Sequence, residues 1–341
     1  MEVEGGFLEL IEGDYIETVD GLLFSVKGLN HPRDLVIAYL RYIPDNDGDR
    51  MRFGRRYRRV YDLDETDELL LRRFPQYMNS IEEKGLTLQS VPRGHISRVY
   101  SPSERLRALM DKPGSELEEV IADFVATLSS ESGVPINGFG VSGSVLIGLA
   151  GPTSDIDIVV YGLDDGRKVY DALRRLRESN GWVRPYDSET VRGVVKSRWD
   201  DTGLDLEKFS HSEVSKLLHG LVCGRDYFIR LVMRRREFEE ERASRPLGRA
   251  VLRAEIADAG RSIFTPCVYQ VRRCTYKSHA PGPAVTQLIS YRGKFTEQAR
   301  DGDTVEARGT VEEVLYRDRA VYRLMMGGKG DYLITARSPD R

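Results

Sequence analysis

Cysteine is scarce: Cys223, Cys267 and Cys274 are the three thiols in 341 residues. An odd, sparse set excludes a disulfide framework, and the spacing does not match a zinc knuckle. Cys267 and Cys274 with His279 could be drawn as a partial metal site, but buried or half-buried free thiols are the expectation. His31, His95, His211, His219 and His279 show no spacing that marks a site. Long apolar runs are also missing. No stretch approaches the ~20 residues needed to cross a bilayer, so no membrane partner is expected. The opening residues, Met1-Glu2-Val3-Glu4-Gly5, are acidic and lack the basic and apolar regions of a signal peptide, which makes a cytoplasmic location the expectation. Excess charge is absent as well: 51 basic residues against 54 acidic ones leave a net charge of −3, so the chain is no global polycation.

What is present is an ordinary folding composition, 40% hydrophobic and 31% charged, at a length that suits two or three domains. The charge is unevenly spread. Arg50, Arg52, Arg55, Arg56, Arg58 and Arg59 fall in an acid-free stretch with Phe53 and Tyr57 between them. A second group is Arg225, Arg230, Arg234, Arg235 and Arg236. Local stripes of this kind bind polyphosphate backbones even when the overall charge is slightly negative.

Three textures divide the chain. Residues 1–100 read as a β-rich module, with Leu22–Val26 and Leu35–Leu40 as apolar runs broken by turn signals such as Asp20-Gly21. The second run is also compatible with a short helix, because six apolar residues cannot be typed by periodicity. Residues 101–242 alternate helix and strand, an α/β core with a mixed sheet and a helical insertion near 185–220. Ser115-Glu116-Leu117-Glu118 predicts a capping box, followed by Leu117, Val120, Ile121, Phe124, Val125 and Leu128 at helical spacing. Residues 243–341 turn all-β, with period-2 alternation over Asp303–Glu312 and further strands at Val321–Met326 and Tyr332–Thr335. Their spacing fits a small barrel of the oligonucleotide-binding (OB) type, and an SH3-like barrel would look similar.

The informative stretch runs from Gly140 to Tyr161. Asp155 and Asp157 stand two apart on a strand that is otherwise apolar (Ile156, Ile158, Val159, Val160), so both carboxylates point to one face, ~7 Å apart. Such a pair repels itself unless a cation compensates, and a hard divalent ion such as Mg²⁺ is the natural one. Two such ions, ~3.5–4 Å apart, would clamp the attacking and leaving oxygens of an in-line phosphoryl displacement. Gly143-Ser144 leaves the preceding strand in a tight turn whose amides and Ser144 hydroxyl face a phosphate. The loop Gly151-Pro152-Thr153-Ser154 then returns the chain so that carboxylates and amides converge.

This stretch resembles the polymerase-beta-type nucleotidyltransferase superfamily: Gly-Ser, a spacer of about ten residues (here Val145 to Ser154), then Asp-x-Asp between hydrophobic positions. The β-rich arms on both sides also resemble predicted nucleotidyltransferases from archaea. The resemblance implies that Asp155 and Asp157 hold two magnesium ions, and that Gly143 and Ser144, with Ser154 beside them, hold a nucleoside triphosphate. It further implies a third carboxylate on the next core strand. Here the chain departs from the pattern. In Asp226-Tyr227-Phe228-Ile229-Arg230, Asp226 is the candidate acid, while Arg230 stands near where the acid belongs and becomes a candidate nucleotide contact. Asp205, in Leu204-Asp205-Leu206, has the local pattern but reads as a helix start.

The expected activity is Mg²⁺-dependent transfer of a nucleoside monophosphate to a hydroxyl acceptor, RNA or another nucleic acid. Arg55, Arg56, Tyr57 and Arg58 are the candidate nucleic-acid contacts. Two alternatives stay open: a non-catalytic nucleic-acid-binding protein that keeps the fold, and a transferase acting on a protein or small molecule.

Overall fold

The computed structural model describes residues 9–179, 181–277 and 280–336; His279 lies outside them. The described residues are mixed α/β with three sheets and fall into two compact units. Of the described residues, the first comprises those in 9–81, 86–126 and 135–159, and the second those in 82–85, 127–134 and 160–336.

The first unit opens with β1 (Tyr15–Thr18), β2 (Leu23–Val26), β3 (Leu35–Pro44), β4 (Arg50–Arg52) and β5 (Arg55–Arg59). Next come α1 (Leu63–Arg73), β6 (Met78–Ile81), β7 (Leu86–Pro92) and β8 (Ile96–Tyr100). The strands pair in the order β4-β5-β3-β2-β1-β8, with β7 joining β3 and β6 joining β7. The apolar run at 35–40 is therefore strand, not helix. β3 serves three neighbours, and a β-branched, aromatic-rich segment suits that central place. Its buried side chains, Val36, Ala38, Leu40 and Ile43, meet Ile16, Phe24, Val26, Leu70 and Tyr77 in one core.

Most of the Gly140–Tyr161 stretch lies in the same unit. α2 (Pro102–Asp111) and α3 (Glu116–Ser132) lead to β9 (Phe139–Val141), α4 (Gly143–Leu146) and β10 (Ile156–Tyr161). Within α3, Leu117, Ile121, Phe124 and Val125 are buried as the helical spacing requires. Its start is capped differently from the expected box. The Glu118 amide donates to Ser115 Oγ at 3.3 Å, but the Glu118 carboxylate accepts from the Gly114 amide at 2.8 Å and pairs with Arg105. The chain passes into the second unit within β10, at Val159–Val160.

The second unit holds α5 (Leu163–Ser179), β11 (Val183–Arg184), α6 (Ser188–Trp199), α7 (Glu207–Ser215), β12 (His219–Val222) and β13 (Arg225–Val232). β11, β12 and β13 pair antiparallel in that order, and the Gly162 amide at the end of β10 donates to Val232 O at 2.8 Å. Asp205 does stand ahead of a helix, its Oδ1 accepting from the Glu207 amide at 3.1 Å.

The remaining strands are β14 (Ala243–Arg261), β15 (Phe264–Thr265), β16 (Cys267–Tyr276), β17 (Gln287–Ser290), β18 (Thr304–Leu315), β19 (Ala320–Met325) and β20 (Tyr332–Thr335). β14 is long enough, at 19 residues, to pair with β18 along its first part and with β16 along its second. Register shifts at Pro246/Gly248 and beyond Arg253 mark the bulges that bend it. The pairings β14–β16, β16–β17, β17–β19, β19–β18 and β18–β14 return to the starting strand, with β17–β19 parallel and the others antiparallel. Inward residues such as Leu252, Ile256, Tyr269, Leu288, Val305, Ala307 and Leu324 share a core with Trp199 and Phe209 of the helical insertion. Cys267 belongs to that core and Cys223 is exposed; all three cysteines are free. Among the described residues no helix is long and apolar enough to cross a membrane.

Candidate active site

β9 is buried at every position and delivers Ser142 in an extended conformation to the one-turn helix α4. Two bonds tie this junction down. The Ser142 amide donates to Asp157 O at 2.8 Å, and Ser142 Oγ donates to Gly13 O at 2.7 Å. The chain then turns through Gly143 at φ +61°, a left-handed conformation that glycine adopts without penalty. A second constraint acts at the same residue: a β-carbon on Gly143 would stand 2.0 Å from Asp157 Oδ2. The Asp157 carboxylate thus lies against the bare face of the Gly143 turn.

Around this contact the hydroxyls gather. Ser144 Oγ donates to Ser154 Oγ at 3.2 Å, and Ser154 Oγ also accepts from the Gly151 amide at 2.8 Å. Arg50 Nη1, from β4, reaches the same oxygen at 3.3 Å. Ile156 and Ile158 are fully buried while Asp155 and Asp157 are half-buried, so the alternation along the strand leaves both carboxylates with access to solvent.

The N-terminal sheet forms the support. Leu146, Ile147 and Leu149, which follow the Gly-Ser turn, pack with Tyr15, Leu23, Tyr42 and Tyr57. Burial raises the Tyr15 hydroxyl pKa; Arg41 opposes the shift and the negative charge of Asp157 adds to it. Tyr42 is pushed up to about 12 by burial, against Arg59 and with Asp155 adding. Burial works against the charge of Arg59, yet Tyr61, Tyr42 and Asp155 hold its pKa above the usual value. Asp14, next to the Gly13 carbonyl that takes the Ser142 hydroxyl, is raised to about 7 by burial. The Ile11 amide opposes that shift, and Glu104 and Glu12 reinforce it.

Gly143, Ser144, Ser154, Asp155 and Asp157 are therefore brought together in the first unit. Asp226 and Arg230 belong to β13 of the second unit. Asp226 is exposed and its charge acts on Tyr186; the Arg230 guanidinium lies 5.0 Å from the Phe228 ring centroid. Among the described residues no group of three or more His, Cys, Asp or Glu side chains could hold a metal. The two aspartates still fit Mg²⁺, which takes one or two carboxylates and completes its shell with water and substrate phosphates.

The basic stretch divides differently from its sequence reading. Tyr57 is 3% exposed, so its ring is core and cannot stack on a base. Arg58 is held by Asp45 at 3.0 Å and Glu65 at 3.1 Å, and Arg56 donates to Gly48 O at 3.0 Å. Arg55 and Arg56 remain exposed on the hairpin formed by β4 and β5, whose tip presents Phe53 at 87% exposure. The sequence marks Arg50 only as one member of a basic stripe, and Tyr42 and Tyr15, which pack beside the cluster, not at all. The period-2 rule applied to β5 would have turned Tyr57 and Arg59 to one face and Arg56 and Arg58 to the other.

Residues 121–202 match a family model described as a nucleotidyltransferase domain, a segment that includes Gly143, Ser144, Asp155 and Asp157. The chain is 27% identical over 328 residues to an uncharacterized protein of Methanocaldococcus jannaschii, covering 92% of this chain and 94% of that protein. No solved structure matches the chain.

Proposed function

We propose, from the premise that residues 121–202 form a nucleotidyltransferase domain, that this protein transfers a nucleoside monophosphate from a nucleoside triphosphate to a hydroxyl acceptor. The observation that carries the reading is the Asp157 carboxylate set against the Gly143 turn, with the Ser144 and Ser154 hydroxyls in one hydrogen-bonded group. In that arrangement Gly143 and Ser144 hold the triphosphate. Asp155 and Asp157 would hold Mg²⁺, which when bound offsets the charge of the phosphates and the attacking oxygen. The acceptor oxygen bonds to the α-phosphorus, the bond to the β-phosphate bridge breaks, pyrophosphate leaves, and the acceptor proton passes to a base.

For the acceptor we favour RNA or another nucleic acid. The β4–β5 hairpin offers the exposed Phe53 ring beside Arg55 and Arg56, a combination that stacks on a base and neutralises its backbone. The C-terminal strands, read as an OB-like barrel, would serve the same acceptor, and the protein would act in the cytoplasm. Incubation with radiolabelled nucleoside triphosphates, Mg²⁺ and RNA, protein or small-molecule acceptors tests the proposal. Label transferred to RNA, and diminished by Phe53→Ala, is the expected result. Transfer to none of these, with no nucleotide binding, rejects it.

A second reading is favoured by the two-carboxylate make-up of the first-unit cluster: a protein that binds nucleotide and nucleic acid without turnover. RNA binding that is unchanged in Asp155→Asn and Asp157→Asn, with no transfer in the parent protein, selects it.

A further inference from the structure

Six arginines crowd the β4–β5 hairpin, and most are already committed within the protein. Arg52 is bonded to Tyr100 and lies 3.4 Å from Glu17; Arg58 is held by Asp45 and Glu65; Arg59 is bonded to Tyr61. Arg50 differs. Its side chain is 16% exposed, and Nη1 rests on a neutral acceptor, Ser154 Oγ, at 3.3 Å. Its Nε is buried without a hydrogen bond, although Asp49 Oδ2 stands 3.3 Å away. That Asp49 side chain is 70% exposed and so well solvated. A largely desolvated guanidinium is costly to keep on so weak a partner, and its planar fork is suited to a carboxylate or phosphate.

The place is as telling as the chemistry. A β-carbon on Gly151 would stand 2.5 Å from Arg50 Nη1, so the glycine of the 151–154 loop is what admits the guanidinium. Ser154 Oγ, which Arg50 reaches, is itself 3.2 Å from Ser144 Oγ. Arg50 is thus one hydroxyl removed from the proposed phosphate-holding residue, with the acidic pair Asp155 and Asp157 in the same cluster. A triphosphate entering there brings several negative charges beside two carboxylates, and a fixed cation offsets part of them.

We propose that Arg50 binds the β- and γ-phosphates of the nucleoside triphosphate, so that the N-terminal sheet supplies a residue of the nucleotide site from outside the nucleotidyltransferase domain. The inference rests on the nucleotidyl-transfer reading above. Arg50 then holds the pyrophosphate portion while the α-phosphate stays with Gly143 and Ser144. The purine or pyrimidine and the α-phosphate make no use of it, and that difference is what an experiment can read.

Equilibrium binding of a fluorescent nucleoside triphosphate and of the matching monophosphate, both with Mg²⁺, is measured on the full chain and on Arg50→Ala and Arg50→Lys. Loss of a charge-assisted bond predicts about tenfold or weaker triphosphate binding in Arg50→Ala, with monophosphate binding unchanged within about twofold. Arg50→Lys, which keeps the charge without the fork, is expected to recover part of the loss. It also carries the comparison if Arg50→Ala does not fold. Equal loss for both nucleotides means that Arg50 merely pins the 151–154 loop, and overturns the proposal, as does an unchanged triphosphate affinity. If the parent protein binds no triphosphate at all, the nucleotidyl-transfer reading fails and takes this inference with it; the two failures are told apart by the parent protein alone.

Discussion

Asp157 Oδ2 occupies the space that a β-carbon on Gly143 would fill, 2.0 Å from its ideal position. A carboxylate and a glycine far apart in role are thereby made one structural unit. The glycine is required twice, by its φ of +61° and by the closeness of the acid. Neither requirement could be relaxed by moving the other residue, because the Ser142 amide bonds the Asp157 carbonyl at 2.8 Å.

Gly143→Ala is therefore predicted to destabilise the fold by about 1–3 kcal/mol, through left-handed strain and displacement of Asp157. Urea unfolding measures the stability change. Nucleotide binding in the folded fraction is expected to fall as well. A variant as stable as the parent, with unaltered nucleotide binding, would show that the contact is dispensable.

Asp155→Asn and Asp157→Asn keep the size of each side chain and remove its charge. Both carboxylates are half-buried, so the fold should tolerate the change, and melting temperatures within a few degrees of the parent are expected. Transfer activity should drop on the order of 10²–10³-fold in each, as for the loss of one group that stabilises developing charge. Mg²⁺ titrations of nucleotide binding supply a second readout, with the magnesium dependence weakened in both variants.

Asp14 provides a pH signature. Burial raises its pKa from 3.8 to about 7, so the folded protein holds this proton more tightly than the unfolded chain does. Between those two values the native state binds more protons, and stability must fall as pH rises, levelling off above about 7. Asp14→Asn retains an oxygen for the Ile11 amide, 2.9 Å from Asp14 Oδ2 in the parent, and removes the titration. Near pH 8 it should be more stable than the parent by on the order of 2–4 kcal/mol, and the two should converge near pH 4. Denaturant melts across that range decide the matter, and parallel curves for the two proteins would refute it.

Glu213 anchors the helical insertion in the second unit. Its side chain is fully buried and accepts from Arg198 at 2.6 Å, Lys216 at 2.8 Å and Trp199 Nε1 at 3.0 Å. Burial would raise its pKa, but Lys216 and Arg198 hold it below the usual carboxylate range. Glu213→Ala would leave a buried ammonium without its counter-ion, at a cost of about 3–5 kcal/mol. Thermal unfolding should report the loss, and the double variant Glu213→Leu/Lys216→Met should recover much of it.

The Gly143-Ser144 turn, the Asp155–Asp157 pair and the strands on either side were legible in the sequence because each obeys a local rule. Strand alternation puts two aspartates on one face, and a glycine at a strand end turns the chain. The helix over residues 116–132 and the late strands at 304–315, 320–325 and 332–335 follow from periodicity in the same way. Other features depended on which surfaces meet. Residues 35–40 are strand because β3 has three partners to satisfy, a fact no six-residue window contains. Tyr57 has the local setting of a nucleic-acid contact, an aromatic among arginines, yet it is core, because the apolar side of the Gly-Ser segment needed a partner and the N-terminal sheet supplied it. Arg50 and Ser154 are 104 residues apart in sequence, and only the packing of that sheet beside the 151–154 loop brings the guanidinium to the hydroxyl. Local chemistry thus wrote the acids and the turn into the chain, whereas long-range packing chose which arginine reaches the Ser154 hydroxyl beside them.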